Sequence, residues 1–281
     1  MIIDALLDAV FDSLRALPFL LAAFALMEVL EKHQDKFIDN LFGKLGKSGP
    51  LIGALMGLVP QCGFSAAMSN LYAGGVISIG TLIAVFVSTS DEAVLIMLSS
   101  PEAIPKIIPL LVTKFVTAII FGYLIDIILR KPNAHEHIDE ICIDCGCHDK
   151  KGILGPVLVH TRRVMFWLFA VSFVLNILIE LIGSGKLAGM LGAESVIQPL
   201  ITALIGLIPN CAISVMFTKL YLAGSLSFAS TVAGLASGAG LGLIVLCRMN
   251  HDREDTIKIL AMLYACGAVA GIVLHFIPLG L

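Results

Sequence analysis

Two short stretches interrupt long apolar runs with the same group of polar and helix-breaking residues. The first reads GLVPQCGFSAA from residue 57, and the second reads GLIPNCAIS from residue 206. A proline removes a backbone donor and disturbs the preceding helical turn, so nearby carbonyl oxygens lose their partners. With the amide of Gln61 or Asn210 and the thiol of Cys62 or Cys211, these carbonyls could bind a partly dehydrated ion, and the thiols favour soft metals. The alternative is a proline-kinked helix whose cysteine is a small apolar filler.

A third stretch, VSTSDEAVL at residues 87–95, places hydroxyls and two carboxylates within an apolar run. An aspartate at the centre of a membrane helix costs about 2.5–3.5 kcal/mol on insertion scales, so Asp91 and Glu92 need a compensating partner. A bound cation would compensate them, and so would an ion pair with Lys114 on the next helix. Acids within a membrane typically belong to ion or proton pathways, which favours a functional role.

The second half of the chain has no such acidic pair. Its matching window, ASGAGLGLI at residues 236–244, keeps Ser237 but has glycine and leucine in place of the acids. We therefore predict one charged centre. The predicted substrate ligands are Gln61, Cys62, Ser88, Ser90, Asp91, Glu92, Asn210, Cys211, Ser214 and Ser237. Within that set, the candidate metal ligands are Cys62, Asp91, Glu92 and Cys211.

A separate cluster of metal-ligand types lies in the polar segment HEHIDEICIDCGCHDK at residues 135–150. Its Cys-x-x-Cys-x-Cys-His spacing is similar to part of a zinc or copper(I) site. The candidate ligands are His135, His137, Cys142, Cys145, Cys147 and His148. The alternative is a flexible acidic connector, because the segment is too short to frame a folded zinc domain.

Composition identifies the setting in which these residues act. The chain is 58% hydrophobic and 14% charged, with a mean hydropathy of +0.98. Soluble domains carry roughly 25% charged residues, so we predict an integral membrane protein embedded in a lipid bilayer. The net charge of −3 and the lack of a basic patch with interleaved aromatics argue against nucleic acid as a partner.

The two interrupted stretches belong to a duplication of the whole chain. Cys211 follows Cys62 by 149 residues (211 − 62), and many identical residues recur at the same offset without a gap. The predicted units are a first membrane repeat at 1–130, a linker at 131–151 and a second repeat at 152–281. Such repeats are typical of secondary transporters, which place substrate at the repeat interface on interrupted helices.

Segment lengths predict how each repeat crosses the membrane. The arms 50–60 and 63–73 reach only about 15 Å each, half a bilayer, which suits a re-entrant hairpin. Crossing helices are expected at about 14–32, 77–98 and 104–130. Three crossings make an odd number, so the second repeat must be inverted. The predicted fold is therefore all-α, with two inverted repeats and ten segments in all.

Basic residues predict the orientation. Lysine and arginine concentrate in the 31–50 loop, the linker with its flanks and the 248–258 loop, which share one side in this topology. The basic side should be cytoplasmic, with both termini outside.

These motifs resemble a known family. GLVPQCGFSAA, LYAGGVISIGTLIAVFVSTSDEA, GLIPNCA and LYLAGSLSF, with a His/Cys-bearing loop between the halves, are similar to the bacterial ten-segment heavy-metal exporters. Members are also labelled arsenic efflux proteins or manganese transporters. The resemblance covers nearly the whole chain and implies export of a metal or metalloid across the bacterial cytoplasmic membrane. The central loop departs from the family in being shorter and less histidine-rich, which puts metal sensing there in doubt.

We therefore predict a secondary transporter rather than an enzyme, exporting a divalent metal such as manganese or a metalloid such as arsenite. Coupling to H⁺ or Na⁺ is expected, and no resident cofactor is needed. One alternative is a thiol-disulfide carrier that uses Cys62 and Cys211. Another is a sodium-coupled carrier of a small anion, with serines 65, 88, 214 and 237 as ligands. The oligomeric state stays open, and a homodimer is among the alternatives.

Overall fold

The computed structural model describes residues 48–59, 62–89, 91–98, 103–129, 196–250 and 252–277, with scattered helical residues within 10–25 and 157–177. For Cys62, Asp91 and Glu92 it describes the backbone alone. Within these ranges every regular element is an α-helix apart from a single 3₁₀ residue, Ala103. The prediction of an all-α fold is confirmed for the part of the chain described.

The helices with complete bounds fall into two series. The first contains α1 (Ser48–Gly57), α2 (Cys62–Ala73), α3 (Ile79–Ser88), α4 (Asp91–Leu98) and α5 (Ile104–Ile128). The second contains α6 (Ile197–Gly206), α7 (Cys211–Leu222), α8 (Phe228–Ser237), α9 (Leu241–Met249) and α10 (Arg253–Phe276).

Both series follow the same plan because the same local signals recur at the offset of 149 (228 − 79). Ser78 caps α3 by accepting a hydrogen bond from Thr81 N, and Ser227 caps α8 by accepting one from Ser230 N. A serine at this position satisfies one of the free N–H groups of the first helical turn. The helices α1, α2 and α3 therefore match α6, α7 and α8 at both ends.

Four described segments are long and apolar enough to cross a membrane: 79–98, 104–128, 228–249 and 253–276. Two of them, 79–98 and 228–249, are not single helices. The sequence predicted a crossing helix over about 77–98, and the apolar segment 79–98 agrees with that prediction, but within it α3 ends at Ser88 and α4 begins at Asp91.

The break after α3 has a local cause in its side chains. The hydroxyls of Ser88 and Thr89 both donate to the carbonyl of Val85, at 3.0 and 2.7 Å. Serine and threonine hydroxyls that bond to nearby carbonyls compete with the regular helical pattern. Thr89 itself has extended geometry, with φ −55° and ψ 126°. In the second half, glycines at 238 and 240 interrupt the corresponding helix.

Glycines let α1 lie against α3 at backbone distance. A Cβ at Gly53 would lie 2.8 Å from the Thr81 carbonyl oxygen, and one at Gly57 would lie 2.6 Å from that of Val85. Small residues allow such close approach between helices in membranes. Gly57 therefore lies near the end of α3, and Gly49 lies beside Thr81 near its start.

The chain between 48 and 78 consequently leaves the starting end of α3 and returns to it. After α1 has run alongside α3, α2 leads through a short turn to Ser78, directly before α3. The second half repeats this path. Gln198, near the start of α6, accepts a hydrogen bond from Ser230 Oγ at 2.8 Å, while Gly206 lies beside Ser237 near the end of α8.

The two halves pack on each other through two equivalent pairs of helices. Helix α2 packs on α9, and α7 packs on α4. Ser69 Oγ donates to the Gly242 carbonyl at 2.8 Å, and a Cβ at Gly242 would lie 2.8 Å from Ser65 Cβ. Because α2 matches α7 and α4 matches α9, each half offers the other the same pair of elements. This reciprocity is characteristic of an interface with two-fold symmetry.

One pair of equivalent contacts joins the two halves. Tyr72 donates a hydrogen bond to Asp255 Oδ2 at 2.6 Å, beside the end of α2 and the start of α10. At the equivalent positions, Lys106 Nζ lies 4.9 Å from the ring centre of Tyr221. The start of α10 therefore lies near the start of α3, and the start of α5 lies near the start of α8.

The two tyrosines supply a matched test of this contact. Tyr72→Phe is expected to destabilise the protein by about 1.5–3 kcal/mol, because it removes a hydrogen bond to a charged group. Tyr221→Phe should be neutral or stabilising, since the buried Tyr221 hydroxyl has no hydrogen-bond partner in the described part of the chain. Thermal unfolding in detergent measures both. Equal losses for the two variants would contradict this assignment.

Candidate functional site

A buried lysine joins the two interrupted helices. Lys114 lies near the middle of α5 and its side chain has 0% exposure. Its ammonium donates a hydrogen bond to the carbonyl of Thr89 at the first break, and another to the carbonyl of Leu235 at 2.9 Å. One side chain from the first half therefore contacts both broken helices, one from each half.

These carbonyls accept the lysine because the helices end there. The last four carbonyls of a helix lack an intrahelical donor, and Leu235 lies in the last turn of α8, which ends at Ser237. Thr89 follows the last residue of α3. The C-terminal end of a helix also carries partial negative charge, so two such ends favour a cation between them. The ammonium of Lys114 supplies that charge.

The second break depends on a glycine conformation. Gly240 precedes α9 with φ 49° and ψ −134°, a region that side chains with a Cβ rarely enter. Gly240 is the equivalent of Asp91 at the offset of 149 (240 − 91). The position that begins α4 with a carboxylate in the first half is thus a backbone hinge in the second.

Four helices begin near these breaks. Helices α4 and α9 begin across them at Asp91 and Leu241, and α2 and α7 begin at Cys62 and Cys211. Helix α2 packs along α9 with Ser65 beside Gly242, so these two helices begin at a similar level. Cys211 shares an apolar cluster with Ala66 of α2 and with Leu241 at the start of α9.

In the second interrupted stretch, the side chains of Asn210 and Cys211 already have contacts within the protein. Asn210 is 6% exposed, and its Oδ1 accepts a hydrogen bond from Ala212 N at 2.8 Å, which caps α7. Cys211 is also 6% exposed and lies among apolar side chains. A thiol in apolar surroundings is protonated and inert more often than reactive. The predicted ligand roles of Asn210 and Cys211 stay predictions.

The predicted serine ligands contact helix backbones. Ser237 Oγ is 2.7 Å from the Ala203 carbonyl of α6, and Ser88 Oγ donates to Val85 within its own helix. Both are fully buried beside the glycines of α1 and α6. Ser214 is half-buried on α7, where its carbonyl accepts from Thr218 Oγ1 at 2.8 Å. The hydroxyls of Ser88 and Ser237 thus bond to helix carbonyls, and ligand binding by the three serines stays a prediction.

Several predicted site residues lie outside the described residues. These are Gln61, Ser90, His135, His137, Cys142, Cys145, Cys147 and His148. Among the side chains that are described, no group of three His, Cys, Asp or Glu is close enough to hold a metal ion. The side chains of Cys62, Asp91 and Glu92 are not among those described. Metal binding at the break and in the linker therefore stays a prediction.

Sequence reasoning gave Lys114 only one role, as an ion-pair partner for the acids. Its contacts with two backbone carbonyls were missed, because the break after Ser88 was not predicted. A usable signal was present. Between Lys106 and Asp126, Lys114 is the only charged residue of a 25-residue apolar helix, and its equivalent in the second half is Leu263.

Comparison with known proteins decides the family. A family model described as "Putative, 10TM heavy-metal exporter" matches residues 1–184 and 169–278, nearly the whole chain. The chain belongs to this family. Membership in the ten-segment heavy-metal exporter family confirms the resemblance, and it agrees with the four described segments able to cross a membrane. The protein is thus a multi-pass membrane protein of a transporter family rather than an enzyme family. Neither the curated proteins nor the solved structures contain a match.

Proposed function

We propose that this member of the exporter family is a secondary transporter that carries a metal cation out of the cytoplasm through a site at the two helix breaks. The observation that carries the proposal is Lys114, whose ammonium is held by the carbonyls of Thr89 and Leu235. Unwound carbonyls and the C-terminal ends of half-helices coordinate cations in secondary transporters. Asp91 and Glu92, at the start of α4, would add the negative charge that a divalent ion needs.

The proposed architecture is a pair of inverted repeats with re-entrant hairpins. Its support is the direction of the helices. Asp255, near the start of α10, contacts Tyr72 beside the start of α3, whereas Lys106, near the start of α5, contacts Tyr221 beside the start of α8. Equivalent helices of the two halves would therefore run in opposite directions. The return of the 48–78 segment to one end of α3 supports a hairpin that enters and leaves on one side.

The same contacts support the proposed orientation. The 31–50 loop leads to Gly49 beside Thr81, and the linker follows the end of α5, where Asp126 Oδ1 accepts from Gly80 N at 2.9 Å. The 248–258 loop contains Asp255. All three basic segments would then lie at the end where α3 begins, which the positive-inside rule assigns to the cytoplasm.

Oxygen ligands favour a hard or borderline divalent ion such as Mn²⁺ over a thiophilic one. The carbonyls at the breaks and the two acids are of this type, while the Cys211 thiol lies in an apolar cluster. Arsenite, which would use thiols, is therefore the second choice of cargo. Coupling to H⁺ or Na⁺ would supply the energy.

One observation favours a different cargo. Lys114 brings a positive charge to the level where α2, α4, α7 and α9 begin, and helix N-terminal ends attract anions. A sodium-coupled carrier of a small anion would use these groups, with the acids holding the sodium. We rank this carrier below metal export because the lysine bonds lie at helix C-terminal ends.

A flux panel tests the proposal. The purified protein is reconstituted into liposomes, and the movement of Mn²⁺, Zn²⁺, Cd²⁺, arsenite and phosphate is followed under imposed proton or sodium gradients. Gradient-dependent flux of Mn²⁺ above that of protein-free liposomes is expected. Flux of phosphate alone would support the anion carrier, and the absence of flux for every metal and metalloid would refute the exporter proposal.

A further inference from the structure

The contacts of Lys114 match those expected of a bound cation. Its ammonium is fully buried and donates hydrogen bonds to two backbone carbonyl oxygens. One carbonyl comes from the end of α3 and the other from the last turn of α8. Carbonyl oxygens at helix ends are the same ligands that a metal ion would take from these two breaks.

In the part of the chain that the structure describes, the charged groups on the helices that contact Lys114 can be named. The two helices that supply the carbonyls, α3 and α8, contain no titratable side chain within their bounds. Helix α4, which also packs on α5, begins with Asp91 and Glu92. Helix α7 begins with Cys211 and belongs with α5 to one apolar cluster. Among these described helices, the acids that could balance a cation here are Asp91 and Glu92 at the start of α4.

We propose that the ammonium of Lys114 occupies a cation site formed by the Thr89 and Leu235 carbonyls, and that a divalent metal ion competes with it for that site. This inference rests on the proposed function, because the competing ion is the transported one. In the empty carrier, the lysine holds the two broken helices together. A metal ion that enters binds the two carbonyls and displaces the ammonium. The carbonyls therefore bind the lysine in the empty carrier and the metal ion in the loaded one.

Competition predicts the opposite sign of effect from a purely structural lysine. A like charge at close range opposes a divalent cation, so Lys114→Gln should lower the dissociation constant for Mn²⁺ at least about tenfold. Its amide can still donate to one carbonyl, which limits the loss of stability. If Lys114 only held the helices in place, Mn²⁺ would bind equally well or more weakly in the variant. Lys114→Arg keeps the charge and should stay within about threefold of wild type.

The measurement is calorimetric titration of the purified, full-length protein with Mn²⁺, repeated with Cd²⁺. In liposomes, Lys114→Gln should also show a lower KM for Mn²⁺ and a lower maximal rate. The rate should fall because the empty carrier no longer has the ammonium that holds the two broken helices together. An unchanged or higher dissociation constant in Lys114→Gln would overturn the competition. So would equal tightening in Lys114→Arg.

A second variant covers the case in which Lys114→Gln does not fold. Lys114→Ala is purified with ethylammonium, which supplies a free cation in place of the missing one. Added ethylammonium should then raise the apparent dissociation constant for Mn²⁺ in this variant and not in wild type. Absence of competition would refute the proposal, and so would a failure of ethylammonium to restore a folded Lys114→Ala protein.

The two proposals can fail separately. Wild-type protein that moves none of the panel ions contradicts the exporter function. Wild-type protein that moves Mn²⁺, combined with a Lys114→Gln variant that binds it no more tightly, contradicts only the competition.

Discussion

Asp91→Asn is expected to reduce metal flux at least about 100-fold, equivalent to about 2.7 kcal/mol. Asp91 is the first residue of α4, directly across the break from the carbonyl that holds Lys114. A divalent ion that leaves water needs compensating negative charge, and the amide supplies none. The second half cannot replace it, because Gly240 stands at the equivalent position. Liposome flux of Mn²⁺ measures the effect.

Glu254→Gln is the matched control for this variant. Glu254 lies near the start of α10 with a side chain that is 86% exposed, and it is 3.8 Å from Lys258. Exposed pairs of this kind contribute about 0–1 kcal/mol, so flux should stay near wild type. Equal losses in Asp91→Asn and Glu254→Gln would contradict a specific role for the acid at the break.

Metal analysis of the same proteins separates the two classes of ligand. Loss of bound metal in Asp91→Asn alone would indicate a hard cation, as proposed. Loss in Cys62→Ser alone would indicate a soft cation and would favour the thiols. Metal content that is unchanged in both variants would contradict a metal site built on these residues.

Gly240→Ala is expected to destabilise the protein by about 1–3 kcal/mol, because the alanine Cβ does not tolerate this backbone conformation. Relief of the strain would re-orient the start of α9, which packs against α2 through Gly242. We therefore expect flux to fall at least about tenfold, an effect of about 1.4 kcal/mol on the transport barrier. Thermal unfolding in detergent and Mn²⁺ flux measure the two effects.

Gly238→Ala supplies the comparison within the same break. Gly238 has φ −84°, which any residue adopts, and the nearest atom to an added Cβ would be the Gly234 carbonyl oxygen at 3.3 Å. Its loss of stability should stay below about 1 kcal/mol. A Gly238→Ala variant as damaged as Gly240→Ala would show that volume, and not backbone geometry, limits this segment.

The protein class and the family could be predicted from the sequence, but the helix break after Ser88 and the contacts of Lys114 could not. Hydropathy and the constant offset indicated apolar helices and equivalent segments, because membrane burial and helix caps such as Ser78 and Ser227 depend on local residue types. The break after Ser88 was missed, since a polar stretch of serines and threonines is compatible with a continuous helix until its hydroxyls are seen to bond to Val85.

The role of Lys114 could not be read from the sequence for a different reason. Which carbonyls a buried lysine meets depends on two breaks that lie 121 residues apart from it in one case and 25 in the other. No local pattern encodes a contact of that range. Glycine and leucine in place of the acids at 240 and 241 indicated that the first half carries the charged centre alone, and Leu263 in place of the lysine agrees with it.

The paired tyrosines show how far the copies of an ancestral gene have diverged in this molecule. At Tyr72 the contact is a phenol bonded to a carboxylate, and at Tyr221 it is an ammonium over an aromatic face. The two contacts therefore differ in strength, and salt screens the half-buried Lys106 ammonium more than the buried Asp255 carboxylate. Two equivalent positions thus form chemically different contacts through the change of a few side chains, while the helices that carry them keep their shared bounds.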